Sequence, residues 1–357
     1  MKIAVVLPRG MQFSRQGATS IDIVARDLVL KSRFRPNTYV VGAAIPDPFS
    51  DVDFRPVEAT SQKRMMRGIV RKLKADLPDI VVVHQHPETA AFVAKTLRDI
   101  PVVLHRHGLL KESRGFFSRF LKARLFSKLA GVVFVSDFIQ QRFLEQFPAV
   151  QPRAQVVYNG VDTTFWCPAA QKKHDIIYLG RAREDKGILP LIKAFKALSP
   201  EGWTLKLVLG VQTEAELTFA DVVDKLCAGH ESISITRNEQ SAAVQGHLSE
   251  ASIAALPSIV REGFPRAVVE AMACGCAVLA TRQGGTVEAA GEAALLLEDP
   301  QSDTFEERLK TGLASLIEGQ DLRQHFAAAG RSRVVNVLGL TAVAKRYDDL
   351  LERLSKN

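Results

Sequence analysis

Short runs of almost unbroken apolar residues alternate along the chain with longer stretches in which apolar residues recur every three or four positions. Residues 2–7 (KIAVVL) form the first run, a glycine-bearing polar loop spans 8–17, and helical spacing covers 20–30 (SIDIVARDLVL). Further runs stand at 37–44, 79–84 (DIVVVH), 101–105 (PVVLH), 131–136 (GVVFVS) and 154–158, with helical spacing over 88–97. A second series follows a polar run at 169–175: strands at 175–179 (DIIYL) and 203–210, another strand and a loop within 226–239, then 277–281 (AVLAT) and 294–297. Residues 246–255 supply a helix and turn leading into a short buried strand that ends at Ser258. Helices are predicted over 188–198, after Arg266, over 304–316, 322–335 and 341–354, the last amphipathic. Runs that are apolar on both faces are expected of strands in a parallel sheet, which crossover helices cover on both sides. Alternation of this kind predicts an α/β fold with open parallel sheets.

At 357 residues, 46% hydrophobic and 24% charged, the chain has material for about two soluble domains. The net charge of +8 adds a preference for an anionic partner: nucleic acid, a phosphorylated substrate or a membrane surface. Much of that charge sits in two helical segments. One carries Lys63, Arg64, Arg67, Arg71, Lys72 and Lys74 among Met65, Met66, Ile69 and Leu73. The other carries Arg114, Arg119, Lys122, Arg124 and Lys128 among Phe116, Phe117, Phe120, Leu121, Leu125 and Phe126. Basic amphipathic helices suit an anionic membrane surface, and equally a core-facing helix with a solvated basic side. No helix-turn-helix, zinc finger or ribonucleoprotein pattern is visible, so nucleic acid is not expected. The four cysteines lack a zinc-ligand spacing and read as reduced thiols of a cytoplasmic protein. The apolar run at the start is too short for a signal sequence or membrane span, so any membrane contact is expected to be peripheral.

The candidate chemistry centres on residues 256–270, LPSIVREGFPRAVVE. Glu262 lies in a turn with Gly263 and Phe264, Pro265 opens a helix at its first position, and Glu270 falls inside that largely apolar helix. A carboxylate there is costly to bury unless something bonds it, and vicinal sugar hydroxyls can. The N–H groups of Phe264 and Arg266, at a helix N-terminus, favour an anion or polar oxygen. Alone, either glutamate also reads as a surface acid or as the partner of a basic side chain. Arg181 and Lys186, in the loop GRAREDKG after a strand, can neutralise a departing diphosphate without magnesium; they can equally pair with Glu184 or Asp185. Gly284 and Gly285, before a helix, offer N–H groups to a diphosphate or make a tight turn. His107 stands at a strand end, where ligands gather in such sheets, or caps backbone. His84, His86 and His105 are near enough in the pattern for a metal cluster to be weighed, without a fixed ligand spacing. Arg237 and Asn238 are weighed as contacts to a nucleotide base. No GxGxxG is present, so a nicotinamide site is not supported.

Residues 262–270, followed by AMACGCAVLATRQGGTVEAAG, resemble the E-x7-E signature of retaining GT-B glycosyltransferases of family 4. His107-Gly108, VYNGVDTTFWCP (157–168) and GRAREDKG (180–187) resemble that family's segments in the same order. The resemblance, over roughly residues 1–340, implies two Rossmann-like doubly wound domains facing a cleft. Residues 1–168 are the acceptor-binding domain, 169–340 the nucleotide-sugar-binding domain, and 341–357 a helix packing back on the first. It implies that Glu270 binds ribose hydroxyls, that Glu262 with the Gly263, Phe264, Pro265 and Arg266 backbone holds the hexose, and that Arg181 and Lys186 stabilise the leaving diphosphate. By the residue reading, Gly284 and Gly285 reach that diphosphate or only make the tight turn. His107 lies by the sugar and acceptor, and Gly17 where relatives carry glycines near the bound substrates, unless it is only a helix-entry turn. Pro265 replaces a glycine common in relatives and removes one N–H donor. The expected reaction is metal- and cofactor-independent transfer of mannose, glucose or galactose from a GDP- or UDP-hexose to a lipopolysaccharide core or other envelope glycolipid, by a cytoplasmic protein peripheral to the inner membrane. A sugar-nucleotide 2-epimerase and a non-catalytic nucleotide-sugar-binding protein are the alternatives.

Overall fold

The computed structural model describes residues 1–8, 10–15, 17–110 and 116–356, leaving aside the side chains of 116–119. Arg114 and the side chains of Phe116, Phe117 and Arg119, read above as part of a basic segment, lie outside this description. The chain divides into two compact units, Met1–Gly160 with Leu340–Asn357, and Val161–Gly339.

The first unit runs β1 (Ile3–Val6), α1 (Ser20–Lys31), β2 (Thr38–Ala43), β3 (Asp53–Val57), α2 (Gln62–Asp76), β4 (Ile80–His84), α3 (Pro87–Thr96), β5 (Val102–Arg106), α4 (Phe116–Phe126), β6 (Gly131–Phe134), α5 (Asp137–Leu144) and β7 (Ala154–Val156). Its strands are all parallel, in the order β3-β2-β1-β4-β5-β6-β7. The apolar runs supply β1, β4, β5 and β6, whose side chains are all buried. Sequence pattern predicts no strand at β3, and its DFRPV, with only Val57 buried, explains why: an edge strand buries little and tolerates Pro56. Helix α1 begins with a capping box between Thr19 and Asp22.

The second unit runs β8 (Lys173–Arg181), α6 (Ile188–Leu198), β9 (Thr204–Gly210), α7 (Glu214–Cys227), β10 (Ile233–Arg237), α8 (Ser241–Glu250), β11 (Ala251–Leu256), α9 (Arg266–Ala273), β12 (Ala277–Thr281), α10 (Thr286–Ala290), β13 (Leu295–Leu297), α11 (Phe305–Glu318), α12 (Gln320–Arg333) and a π-helical turn (Val334–Leu338). Its parallel sheet has the order β10-β9-β8-β11-β12-β13. The unit starts at Val161 rather than after Pro168. The reason is bonding: Val161 donates its N–H to Leu338, and the Arg331 guanidinium donates to the carbonyls of Thr163, Trp166 and Ala273. The last helix, α13 (Leu340–Ser355), belongs to the first unit, where Val343, Ala344, Tyr347, Leu350 and Leu351 enter the core beneath α1. Asp348 there accepts from Ser32 Oγ and the Arg33 N–H.

In both sheets the strand order reverses beside the first strand, between β1 and β4 and between β8 and β11. In open parallel sheets, ligands bind beyond the carboxyl ends of the strands at such switch points. Among the described residues no helix is long and apolar enough to cross a membrane.

Candidate active-site residues in each unit

Three loops meet beyond the carboxyl ends of β8, β11 and β12. The first, after β8, holds Lys186 in a 3-10 turn (Glu184–Lys186) closed by Gly187. Gly187 has φ +72° and packs so tightly that a Cβ there would lie 2.0 Å from the Pro257 carbonyl oxygen. The second loop, residues 257–265, is fastened to the first by the Ile259 N–H donating to Asp185 (2.9 Å) and by an ion pair from Lys186 Nζ to Glu262 Oε1 (2.9 Å). The third carries Gln283, Gly284 and Gly285. Gln283 donates its side-chain amide to the Ile259 carbonyl (2.6 Å), and Thr281 Oγ1 donates to that of Ser258 (2.6 Å).

The sequence reading offered the Gly284 and Gly285 N–H groups to a diphosphate. The Gly285 N–H instead donates to the Glu262 carbonyl at 2.8 Å. A Cβ on Gly285 would sit 1.8 Å from the Gly263 oxygen, and one on Gly284 2.6 Å from the Glu262 oxygen. These glycines let two backbones touch, and so fix where Glu262 stands.

Lys186 thus meets Glu262 rather than Glu184 or Asp185, while Asp185 pairs with Arg183. Arg181, the last residue of β8, is held by neither motif acid. Its guanidinium donates to Glu216 at 2.6 Å. Glu216 is buried in the first turn of α7 and also accepts the N–H groups of Gln212 and Thr213. Burial alone raises the pKa of this carboxyl, but the Arg181 guanidinium and these N–H groups outweigh it and hold the group below its usual range. Sequence reasoning missed Glu216, although Thr213-x-x-Glu216 is a legible capping box.

Pro265 is the N-cap of α9 rather than its first helical residue. Glu270 and Arg266 face each other one turn apart, both buried, with Arg266 Nε and Nη2 each 3.1 Å from Glu270 Oε1. Phe264 is buried, and both it and Arg266 make contacts within the chain. Arg237 and Asn238 are engaged as well: Arg237 pairs with Asp224, and Asn238 Oδ1 accepts the Val211 N–H.

In the first unit Gly17 lies in the loop after β1, exposed, with φ +80° and open space around a Cβ. A left-handed φ of this kind suits a residue without a Cβ. His107 follows β5. Its ring Nε2 is 2.9 Å from His84 Nδ1, and the rings of His84, His105 and His107 pack with centroids 4.3–5.1 Å apart. Parallel pairing sets His84 beside His105, and two-residue strand periodicity brings His107 to the same face. His86 does not join them. Gln85 takes φ +60°, which breaks the alternation, and His86 instead caps α3 through Thr89. So the histidine group weighed from sequence exists with one member exchanged. Burial pushes His84 down to about 3. His105 and His107 also lie well below the usual histidine range, by burial and then by their neighbours. All three rings are neutral at physiological pH. Buried Arg106, pushed down to about 10 by desolvation, joins this loop to the end of β4 by donating to the carbonyls of Gln85 and Gly108. The exposed side of α2 carries Lys63, Arg64, Arg67, Arg71, Lys72 and Lys74 opposite buried Met65, Ile69 and Leu73, and Phe120 and Leu121 on α4 are exposed.

Comparison with known proteins matches each half of the chain to a glycosyltransferase domain. Residues 23–165 match the model of "Glycosyltransferase Family 4", and residues 167–333 that of "Glycosyl transferases group 1". Alpha-maltose-1-phosphate synthase of Mycolicibacterium smegmatis is 26% identical over 310 residues, covering 77% of this chain and 79% of that protein. Lipopolysaccharide 1,2-N-acetylglucosaminetransferase of Salmonella typhimurium is 24% identical over 314 residues, covering 79% and 74%. The Anabaena protein Alr3699/HepE, solved in complex with UDP, aligns over 99% of this chain and 100% of its own with a TM-score of 0.81 at 16% identity, a likeness of fold.

Proposed function

We infer, from a chain whose two halves are the domains of a GT-B glycosyltransferase, that it moves a hexosyl group from a nucleoside diphosphate sugar to an acceptor hydroxyl with retention of configuration. The observation that carries the reading is the Lys186–Glu262 pair at the switch point between β8 and β11, with Arg181 ending β8. A cation fixed on one loop beside a carboxylate fixed on the next supplies two needs of this reaction. The ammonium and the Arg181 guanidinium offset charge developing on the leaving diphosphate, an effect worth about 3 kcal/mol per preorganised donor. Glu262 retains oxygen lone pairs for sugar hydroxyls. Glu270 takes the ribose hydroxyls, its carboxylate oriented by the Arg266 guanidinium one turn away. The departing phosphate oxygen accepts the acceptor's proton, so no side-chain base is required. Neutral His107 gives or takes a hydrogen bond near the sugar and acceptor, and Gly17 lets the loop beside it adopt its turn.

The donor is a UDP- or GDP-hexose; the bound UDP and UDP-glucose of the Anabaena neighbour favour uridine. The acceptor is an envelope glycolipid such as a lipopolysaccharide core, the substrate class in the name of the Salmonella relative. The basic side of α2 and exposed Phe120 and Leu121 suit contact with an anionic membrane surface from the cytoplasmic side. Reaction without metal follows from cationic side chains serving the diphosphate. The test is a panel of nucleotide sugars given to the purified protein with a glycolipid acceptor, reading diphosphate release and product mass. Release with mass gain of one hexose supports the reading. Donor isomerisation without transfer would replace it with epimerisation, and no turnover of any donor would replace it with binding alone.

A further inference from the structure

We propose that His84, His105 and His107 form a binding site for a borderline divalent transition-metal ion, Zn²⁺ first. Each ring offers one nitrogen, and the three nitrogens lie within 4.8 Å of one another. Zinc–nitrogen bonds of about 2.0–2.1 Å set tetrahedral ligand nitrogens about 3.4 Å apart, so small ring adjustments suffice. Three imidazoles with an open fourth position make a donor set suited to zinc, copper or nickel rather than magnesium or calcium.

Two observations point to an ion rather than to ordinary packing. His105 is 1% exposed, and its Nε2 has no hydrogen-bond partner among the described residues, a cost that a native core rarely carries without a reason. Its other nitrogen, Nδ1, is 3.2 Å from the buried hydroxyl of Tyr347 on α13. An Nδ1–H donating to that oxygen leaves the lone pair on Nε2, the arrangement by which an outer partner orients a ligating histidine. Between His84 Nδ1 and His107 Nε2, one nitrogen now carries the shared proton. Binding moves that proton to the far nitrogen of the same ring, so both lone pairs reach the ion and no proton is released. Arg106 is the nearby cation, and the carbonyls of Gln85 and Gly108 take its guanidinium. With no carboxylate in the cluster, the site is a modest binder rather than a permanent one. This inference does not depend on the transfer reading.

The experiment brings the purified full chain to equilibrium with a range of free Zn²⁺ by dialysis and measures the metal retained per chain by mass spectrometry. One ion per chain is expected, with retention lost in His105→Asn and unchanged in His325→Ala, which removes an exposed histidine. Tyr347→Phe is expected to weaken affinity about 10–100-fold. Cu²⁺ electron paramagnetic resonance on the unaltered protein counts nitrogen ligands and needs no variant to fold; three are expected. Absence of retained metal, equal retention in folded His105→Asn, or fewer than three nitrogens would overturn the site.

Discussion

Replacing Gly285 with alanine tests whether the contact between the 283–285 and 262–263 backbones holds the candidate site. The new Cβ would lie 1.8 Å from the Gly263 oxygen and 2.6 Å from its carbonyl carbon. Ordinary contact begins near 3.4 Å, so one backbone must retreat by about 1.6 Å, the difference between 3.4 and 1.8. Overpacking of this kind costs about 1–3 kcal/mol, and loss of the Gly285 to Glu262 hydrogen bond adds about 1. For a unit of this size that corresponds to a fall in Tm of roughly 5–15 °C. The retreat carries Glu262 away from Lys186, and a displacement of about 1 Å in a reacting constellation costs about 100-fold in rate. Calorimetry and kcat/KM for nucleotide-sugar turnover measure the two effects separately. Gly246→Ala, inside α8 with open space around its Cβ, is the control and should be neutral or stabilising by up to about 1 kcal/mol. A Gly285→Ala protein within about 1 °C of the parent and equal to it in kcat/KM would refute the argument.

Lys186→Ala should lower kcat about 100- to 1,000-fold; near-normal kinetics would remove the diphosphate role. Glu262→Gln should depress kcat far more than it raises donor KM, and the reverse split would assign Glu262 to ground-state binding only. Arg266→Ala, which leaves the buried Glu270 carboxylate without that guanidinium, should cost about 3 kcal/mol in urea unfolding, part of it recovered by adding Glu270→Gln; no loss would mean the pair is not buried in solution. Glu216 is held below the usual carboxylate range by the Arg181 guanidinium and two backbone N–H groups, so folding favours its ionised form. Its stabilisation is full above about pH 4.5 and is lost as pH falls through the lower folded value. The stability gap between the parent and Glu216→Gln should therefore be widest near neutral pH and close on acidification; a gap independent of pH would refute the Arg181–Glu216 coupling.

The sequence by itself determined the two parallel sheets, because burial on both faces leaves an unbroken apolar run that any reader of the chain can find. It also supplied Glu262, Glu270, Arg181 and Lys186 as candidates, through their order and spacing. It could not supply partners. Lys186 faces Glu262 only because β8 and β11 are neighbours, although 76 residues separate the two side chains (262 − 186). Arg181 takes Glu216 by the same kind of crossing. Edge strand β3 escaped because a strand with one buried residue carries no apolar run. The histidine cluster was misassigned by one member because a single left-handed residue, Gln85, reverses where the next side chain points. Periodicity is a local property written along the chain; which charges meet, and which glycines must stay bare, depends on strands brought side by side by long-range pairing.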